Sequence, residues 1–105
     1  MKANELKALG EALLRAQAAA LECANVNDGG SCNFDQAVLG VRLTKKQAET
    51  LPVRLEKCNY GFWKGWWFVH TPLYGQAMRR TAMAEAAAKS LSESGYDASV
   101  YYMLD

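Results

Sequence analysis

The chain has 105 residues, of which 50% are hydrophobic and 22% are charged, and its formal net charge is +1. This length and composition favour one domain with a single core that needs neither metal ions nor disulfides. Because the charge is nearly neutral and of mixed sign, it provides no long-range field that would attract nucleic acid or an anionic membrane.

The beginning of the chain and its cysteines indicate a compartment. Glu5 and Glu11 interrupt the first leucines, which argues against a secretory signal peptide, and no apolar run reaches the roughly 20 residues that span a bilayer. Cys23, Cys32 and Cys58 would leave one unpaired thiol in an oxidising compartment, whereas an odd number is ordinary in a reducing one. We therefore expect a cytoplasmic protein without a membrane partner.

The first predicted element is a helix over residues 4–23. Apolar residues recur in it at three- and four-residue spacing, and the Glu11 and Arg15 pair lies on the opposite, solvated side. The apolar stripe must be buried against another element. Residues 25–33, rich in asparagine, glycine, aspartate and serine, then form a tight polar loop.

Two strands and a short helix follow. Residues 34–43 contain an almost continuous apolar run, which is typical of a central strand. Thr44 and Gln47 have the spacing of a capping box, which predicts a helix that ends before Pro52. Residues 53–58 alternate well enough to predict a second strand.

The most distinctive stretch is residues 61–75, which holds all three tryptophans and the only histidine. Aromatic and β-branched residues predict a strand over 62–70 that ends where Thr71 and Pro72 begin a turn. Alternation would place side chains on both faces of this strand. One face would carry Phe62, Lys64, Trp66, Phe68 and His70, and the other Trp63, Gly65, Trp67 and Val69.

The last elements are an alanine-rich helix over residues 76–94, stopped by Gly95, and a strand over 98–104. The order predicts an α+β fold with a ferredoxin-like βαββαβ core, a four-stranded antiparallel sheet within residues 34–104, preceded by an additional N-terminal helix within residues 1–24. The whole chain, residues 1–105, is expected to form a single domain. In that arrangement the aromatic strand and the last strand flank the first strand, and both run antiparallel to it.

This topology brings loops 25–33 and 70–75 and the start of helix 76–94 to one edge of the sheet. Two arginines in the first turn of a helix oppose its dipole, so carboxylates of the protein or a bound anion must neutralise them, and internal pairing is the more common case. We take this edge as the candidate recognition site. Its candidate ligand- or partner-binding residues are Asp28, Cys32, Asn33, His70, Tyr74, Arg79 and Arg80.

Cysteine and histidine chemistry is a weaker alternative. A nucleophile at Cys32 with His70 as its base would make a cysteine-dependent enzyme, but a packed or loop cysteine is the more common role. Cys23, Cys32, Cys58 and His70 include zinc ligand types without the usual paired spacing. Since the phosphate-binding glycine motifs and the spacing of a calcium loop are also missing, we predict no catalytic residue, no metal and no cofactor.

Residues 64–69, Lys-Gly-Trp-Trp-Phe-Val, resemble the first ribonucleoprotein motif of RNA-recognition-motif domains, which share the β-α-β-β-α-β order. The resemblance implies that Lys64 contacts phosphate and that Trp66 and Phe68 stack on bases. It therefore offers a single-stranded nucleic-acid-binding domain as an alternative function.

The competing interpretation places the aromatic residues in the core, with the first helix lying over the otherwise open sheet face. The neutral charge favours it, because single-strand binding usually combines stacking with a basic groove. We therefore expect a small non-enzymatic binding or regulatory module whose partner is a protein or a small anion. A homodimer formed through an exposed strand edge is equally open.

Overall fold

The computed structural model describes residues 1–23, 35–59, 61–70 and 77–102, with side chains in the last segment described from residue 81. Within these residues, three helices and four strands follow one another. They are α1 (Ala3–Glu22), β1 (Gln36–Gly40), α2 (Lys45–Glu49), β2 (Leu55–Lys57), β3 (Trp67–Val69), α3 (Ala77–Glu93) and β4 (Asp97–Tyr101).

The four strands form one antiparallel sheet in the order β2-β3-β1-β4. β1 lies in the interior of the sheet, where Val38 pairs with Phe68 of β3 on one side and with Ser99 of β4 on the other. β2 forms one edge of the sheet and β4 forms the other. The predicted α+β class and the four-stranded antiparallel sheet are confirmed.

Both long helices lie on one face of the sheet, where α1 packs against α3. The apolar stripe of α1 enters a core cluster that includes Leu39, Val69 and Val100 of the sheet. Small alanines of α3 belong to the same cluster and allow the two helices to approach closely. The α1 and α3 residues in this cluster are Leu9, Ala12, Leu13, Ala16, Ala20, Met83, Ala84, Ala87, Ala88 and Leu91.

The position of α1 corrects one expectation. Phe68 belongs to a second, smaller cluster with Val38 and Cys58, on the opposite face from the cluster that contains Leu39 and Val69. Successive strand residues point to opposite faces, so a helix packed on Leu39 cannot also cover Phe68. The interpretation in which the first helix lies over the aromatic face is therefore wrong.

The aromatic strand is shorter than predicted. β3 begins only at Trp67, because Gly61 and Gly65 adopt left-handed backbone angles, φ +70° and +91°, that bend the chain into a turn over residues 61–66. The backbone N–H of Gly65 donates to the Cys58 oxygen over 2.8 Å, and that of Cys58 donates to the Trp66 oxygen over 2.7 Å. The predicted alternation thus fails before Trp66 and holds after it.

The other strands are also shorter than their apolar runs. β1 ends at Gly40, and residues 41–44 lead to α2 without strand pairing. The predicted starting point of that strand, Phe34, and the predicted end of the last strand at residues 103–104 lie outside the described residues. In the described part of the chain, no helix combines the length and apolar character that crossing a bilayer requires.

Candidate functional site

The described residues cover only part of the predicted recognition edge. Asp28, Cys32, Asn33 and Tyr74 lie outside them, and the side chains of Arg79 and Arg80, in the first turn of α3, are also outside. These six residues therefore remain a prediction.

The strand ends that form this edge do meet. Gln36 at the start of β1 pairs with Tyr101 at the end of β4, and Thr81 of α3 donates from its hydroxyl to the Asp35 carboxylate over 2.7 Å. Asp35 is 4% exposed, so this hydrogen bond ties α3 to the residue just before β1 at a buried point.

His70 is the predicted edge residue whose side chain is described. It follows β3, and its backbone N–H donates to the Arg54 oxygen over 2.9 Å. Its Nε2 lies 3.0 Å from a carboxylate oxygen of Glu56, with the imidazole 31% exposed. This carboxylate holds the ring in place. Cys32 lies outside the described residues, so the pairing of Cys32 with His70 remains a prediction.

The two described cysteines are both at least partly buried. Cys23 is half-buried at the end of α1, and Cys58 is fully buried after β2. Among the residues that the structure describes, no three histidine, cysteine or acidic side chains gather closely enough to hold a metal ion.

The sheet face opposite α1 and α3 carries a row of aromatic side chains, which we call the aromatic face. It comprises Trp63, Trp66, Phe68 and Tyr101 around Val38 and Cys58, with Phe62 at its outer end. The rings meet edge to face, which is a favoured geometry for aromatic pairs. Centroid distances are 4.8 Å for Phe62 and Trp63, 4.9 Å for Trp63 and Trp66, and 5.5 Å for Phe68 and Tyr101.

The exposure of these rings changes along the row. Phe62 is 88% exposed, Trp63, Trp66 and Tyr101 are half-buried, and Phe68 is only 7% exposed. The row therefore leads from a solvent-exposed phenylalanine into a packed centre. Of the residues that the ribonucleoprotein resemblance selects, Trp66 is the ring with accessible surface, and Lys64 is exposed in the turn.

Trp66 owes its position to a glycine. A Cβ atom at Gly40 would lie 3.0 Å from three atoms of the indole ring, so the ring packs directly on the backbone of β1. A glycine inside a strand signals this kind of close approach. That signal, together with Tyr101 in the last strand, could have extended the aromatic row from sequence alone.

The charges around the aromatic face are mixed. Glu56 pairs with Phe68, and Asp97 pairs with Gly40, so both carboxylates lie on this side of the sheet. Lys64 is the cation of the adjoining turn. The face therefore lacks, among its described residues, the basic stripe that binding a phosphate backbone requires.

Comparison of the chain with protein-family models, with curated proteins and with solved structures finds no match. The function is accordingly argued from the geometry of the aromatic face and from the chemistry of the residues around it.

Proposed function

We propose that the chain is a small non-enzymatic binding module that recognises a protein partner through the aromatic face. The observation that carries this proposal is the 88% exposure of Phe62 at the end of a packed aromatic row. A contiguous exposed apolar patch rimmed by polar residues marks an interaction surface, and phenylalanine and tryptophan are enriched in interface cores.

The support around Phe62 favours tight binding at low entropic cost. Its ring meets Trp63, which in turn meets Trp66, and Trp66 packs on the backbone of Gly40. Backbone hydrogen bonds between Cys58 and the turn hold the same segment to the end of β2. A surface that is already ordered loses little conformational freedom when a partner covers it.

The proposal includes the recognition edge predicted from the sequence. The aromatic face reaches that edge at Tyr101 and at His70, so one partner could cover both surfaces. A small anion held by Arg79 and Arg80 would then add to the contact. The cytoplasmic location, which rests on the odd number of cysteines, belongs to the same proposal.

We also propose that the sheet is the core of a ferredoxin-like βαββαβ arrangement. This is supported by β3 and β4, which flank β1 and run antiparallel to it. The difference lies in the helical layer, because α2 has five residues and α1 instead packs beside α3.

Single-stranded nucleic acid is the second candidate partner. It is favoured by the position of Trp66 and Phe68 on the face opposite both long helices, where the ribonucleoprotein resemblance requires them. Two features count against it. Phe68 is too buried to stack on a base, and the carboxylates of Glu56 and Asp97 would repel phosphates.

The first experiment separates the two partner classes. The protein is titrated with short single-stranded RNA and DNA, and tryptophan emission is followed at low and moderate salt. Our proposal expects no saturable change. A quench that saturates and weakens as salt is added would transfer the function to nucleic-acid binding, since salt competes for phosphate contacts.

The second experiment tests the protein partner directly. A photoreactive benzoyl-phenylalanine is introduced at position 62, with Lys89, exposed on α3, as the control position. In cells we expect a discrete covalent adduct from position 62 alone. Sedimentation of the purified protein shows whether that partner is a second copy. Equal labelling from positions 62 and 89 would refute the proposal.

A further inference from the structure

A cavity of about 750 Å³ lies between α2 and β2, beside Trp67. Its volume falls within the range of small-molecule sites, which is roughly 300 to 1,000 Å³. Trp67 and Leu55 point away from the aromatic face, because their strand neighbours Phe68 and Glu56 point towards it. The floor of the cavity therefore lies on the opposite side of the sheet from the aromatic face, and Glu56 at the edge of the sheet borders both.

The floor of the cavity is apolar and fixed. Trp67 is 5% exposed, and its indole N–H donates to the Val41 backbone oxygen over 3.2 Å, so its only polar atom is already satisfied. Leu51, Leu55 and Ala48 add aliphatic surface around the ring. Such a floor accepts an apolar group and gives it no hydrogen-bonding partner.

The rim of the cavity is cationic. Lys45, Arg54 and Lys57 line it, and within the described residues none of the three forms an ion pair. The Lys57 ammonium lies 5.6 Å from the centroid of the Trp67 ring, which places a charge directly above the apolar floor. Cations without ion pairs beside an apolar surface favour a ligand with one anionic end.

The acidic residues of the rim limit how much negative charge a ligand can carry. Glu49 and Glu56 also line the cavity, but a carboxylate oxygen of Glu56 is engaged by His70 at 3.0 Å. The balance of three cations, Lys45, Arg54 and Lys57, against two carboxylates, Glu49 and Glu56, suits a single carboxylate better than a polyanion such as a nucleotide.

The geometry points to this cavity as a binding site for a small amphiphilic carboxylate. The apolar body of the ligand lies against Trp67 and Leu55, and its carboxylate accepts hydrogen bonds from Lys57 and Arg54. Arginine and lysine bind carboxylates through charge-assisted hydrogen bonds, and arginine does so with a planar fork. The site binds its ligand without changing it.

The test uses naphthalene-2-acetate, its neutral amide and plain acetate as probes, followed through the backbone and indole N–H signals of the full chain by NMR. We expect saturable shifts at Leu55, Lys57 and the Trp67 indole with the acid. The amide should bind about tenfold more weakly or worse, because it lacks the charge-assisted bonds. Acetate alone should not saturate.

Substitutions of Lys57 and Arg54 test whether these cations bind the carboxylate of the ligand. Lys57→Met and Arg54→Met keep apolar side chains of similar length, and each should weaken binding of the acid at least about fivefold. Lys64→Met, at an exposed lysine of the 61–66 turn that does not line the cavity, is the matched control and should bind as the parent does. Equal affinity for the acid and its amide, or shifts confined to residues 61–66, would overturn the proposal. So would the absence of saturation up to the solubility limit of the acid.

Discussion

At Gly40 the side chain of Trp66 occupies the space that any larger residue would need. Three indole atoms lie 3.0 Å from the position that a Cβ atom would take, so a side chain at this position must displace the ring. We expect Gly40→Val to lower the free energy of unfolding by about 1–3 kcal/mol, the usual cost of overpacking. Urea denaturation followed by circular dichroism measures the change.

A double-mutant cycle shows whether Trp66 is the cause. In a Trp66→Leu background the same Gly40→Val change should cost clearly less, because the smaller side chain leaves room for the new methyl groups. An equal cost in both backgrounds would show that glycine is required by the backbone of β1 and not by the Trp66 ring.

Tyr102 gives a prediction for alkaline pH. Partial burial, and after it the neighbouring carboxylates of Glu85 and Asp35 and a hydrogen bond to Glu85, raise the pKa of its hydroxyl above the ordinary value of 10.0. The neutral phenol is therefore favoured in the folded state. Its contribution to stability is intact below pH 10.0 and is lost as the pH rises through the raised pKa.

We expect the free energy of unfolding to fall less steeply above pH 10 in Tyr102→Phe than in the parent. Because Tyr102 is 64% exposed, the difference should be small. Denaturant titrations at several pH values measure it, and Glu85→Gln should reproduce part of the effect. Identical slopes in the parent and Tyr102→Phe would contradict it.

Single residues with a local structural role could be predicted from the sequence. Thr44 and Gln47 form the reciprocal capping bonds that their spacing predicts, each over 3.1 Å. Trp66 and Phe68, two residues apart, lie on one face as alternation requires. Trp63 could not be placed, because a turn held by bonds to Cys58 replaces the strand there.

Among the elements, α3 has the most clearly defined end. Gly95 has φ +94°, its N–H donates to the Ser92 oxygen over 3.0 Å, and the Tyr96 N–H donates to the Leu91 oxygen over 3.1 Å. This is the Schellman arrangement, whose central residue must be left-handed.

We expect Gly95→Ala to destabilise the fold by about 1–2 kcal/mol, the cost of placing a Cβ atom in left-handed backbone. Thermal and urea denaturation measure it. Gly95→Asn is the control, and because asparagine tolerates this conformation its cost should be smaller. If alanine is tolerated as well as glycine, the helix end is not fixed by this motif.

The packing of α1 allows a matched comparison between two neighbouring leucines. Leu13 is fully buried against the α3 cluster, whereas Leu14 is 49% exposed. We expect Leu13→Ala to cost about 2–5 kcal/mol and Leu14→Ala less than about 1 kcal/mol. Urea denaturation of both variants measures this, and similar losses would mean that α1 packs with a different face.

Helices were predicted more closely than strands. The α1 and α3 boundaries follow from apolar spacing and a glycine stop, both of which are local signals. Strand ends depend on where the neighbouring strand stops pairing, and an apolar run such as residues 34–43 does not contain that information. Gly61 and Gly65 were the sequence signals that the aromatic segment begins with a turn.

At the scale of the whole molecule, folding and binding use different parts of the chain. Phe62 contributes little to the core because it is 88% exposed. We expect Phe62→Ser to change the free energy of unfolding by less than about 0.5 kcal/mol. The same substitution should abolish the covalent adduct between the partner and a photoreactive probe at position 64. Denaturation, and crosslinking from a probe at Lys64, measure the two effects.

The opposite result is equally informative. If Phe62→Ser unfolds the protein, the ring belongs to the core and the aromatic face is a structural surface. If stability and crosslinking are both unchanged, the partner contacts another part of the molecule.

The side of the sheet that α1 covers could not be predicted from its sequence. An amphipathic stripe indicates that a helix packs against an apolar surface, but it does not identify that surface. Leu39 and Val38 offered surfaces on opposite faces, and α1 packs on the Leu39 face beside the small alanines of α3. The predicted edge residues outside the described part of the chain stay predictions.

The interior position of β1 has a kinetic consequence. Ala37 pairs with Val69 on one side and with Val100 on the other. Both neighbouring strands, β3 and β4, are therefore synthesised well after β1. On a translating ribosome, β1 must wait with an unpaired apolar edge until β4 has emerged. Long-range pairing of this kind slows folding and exposes the nascent chain to aggregation and to chaperones.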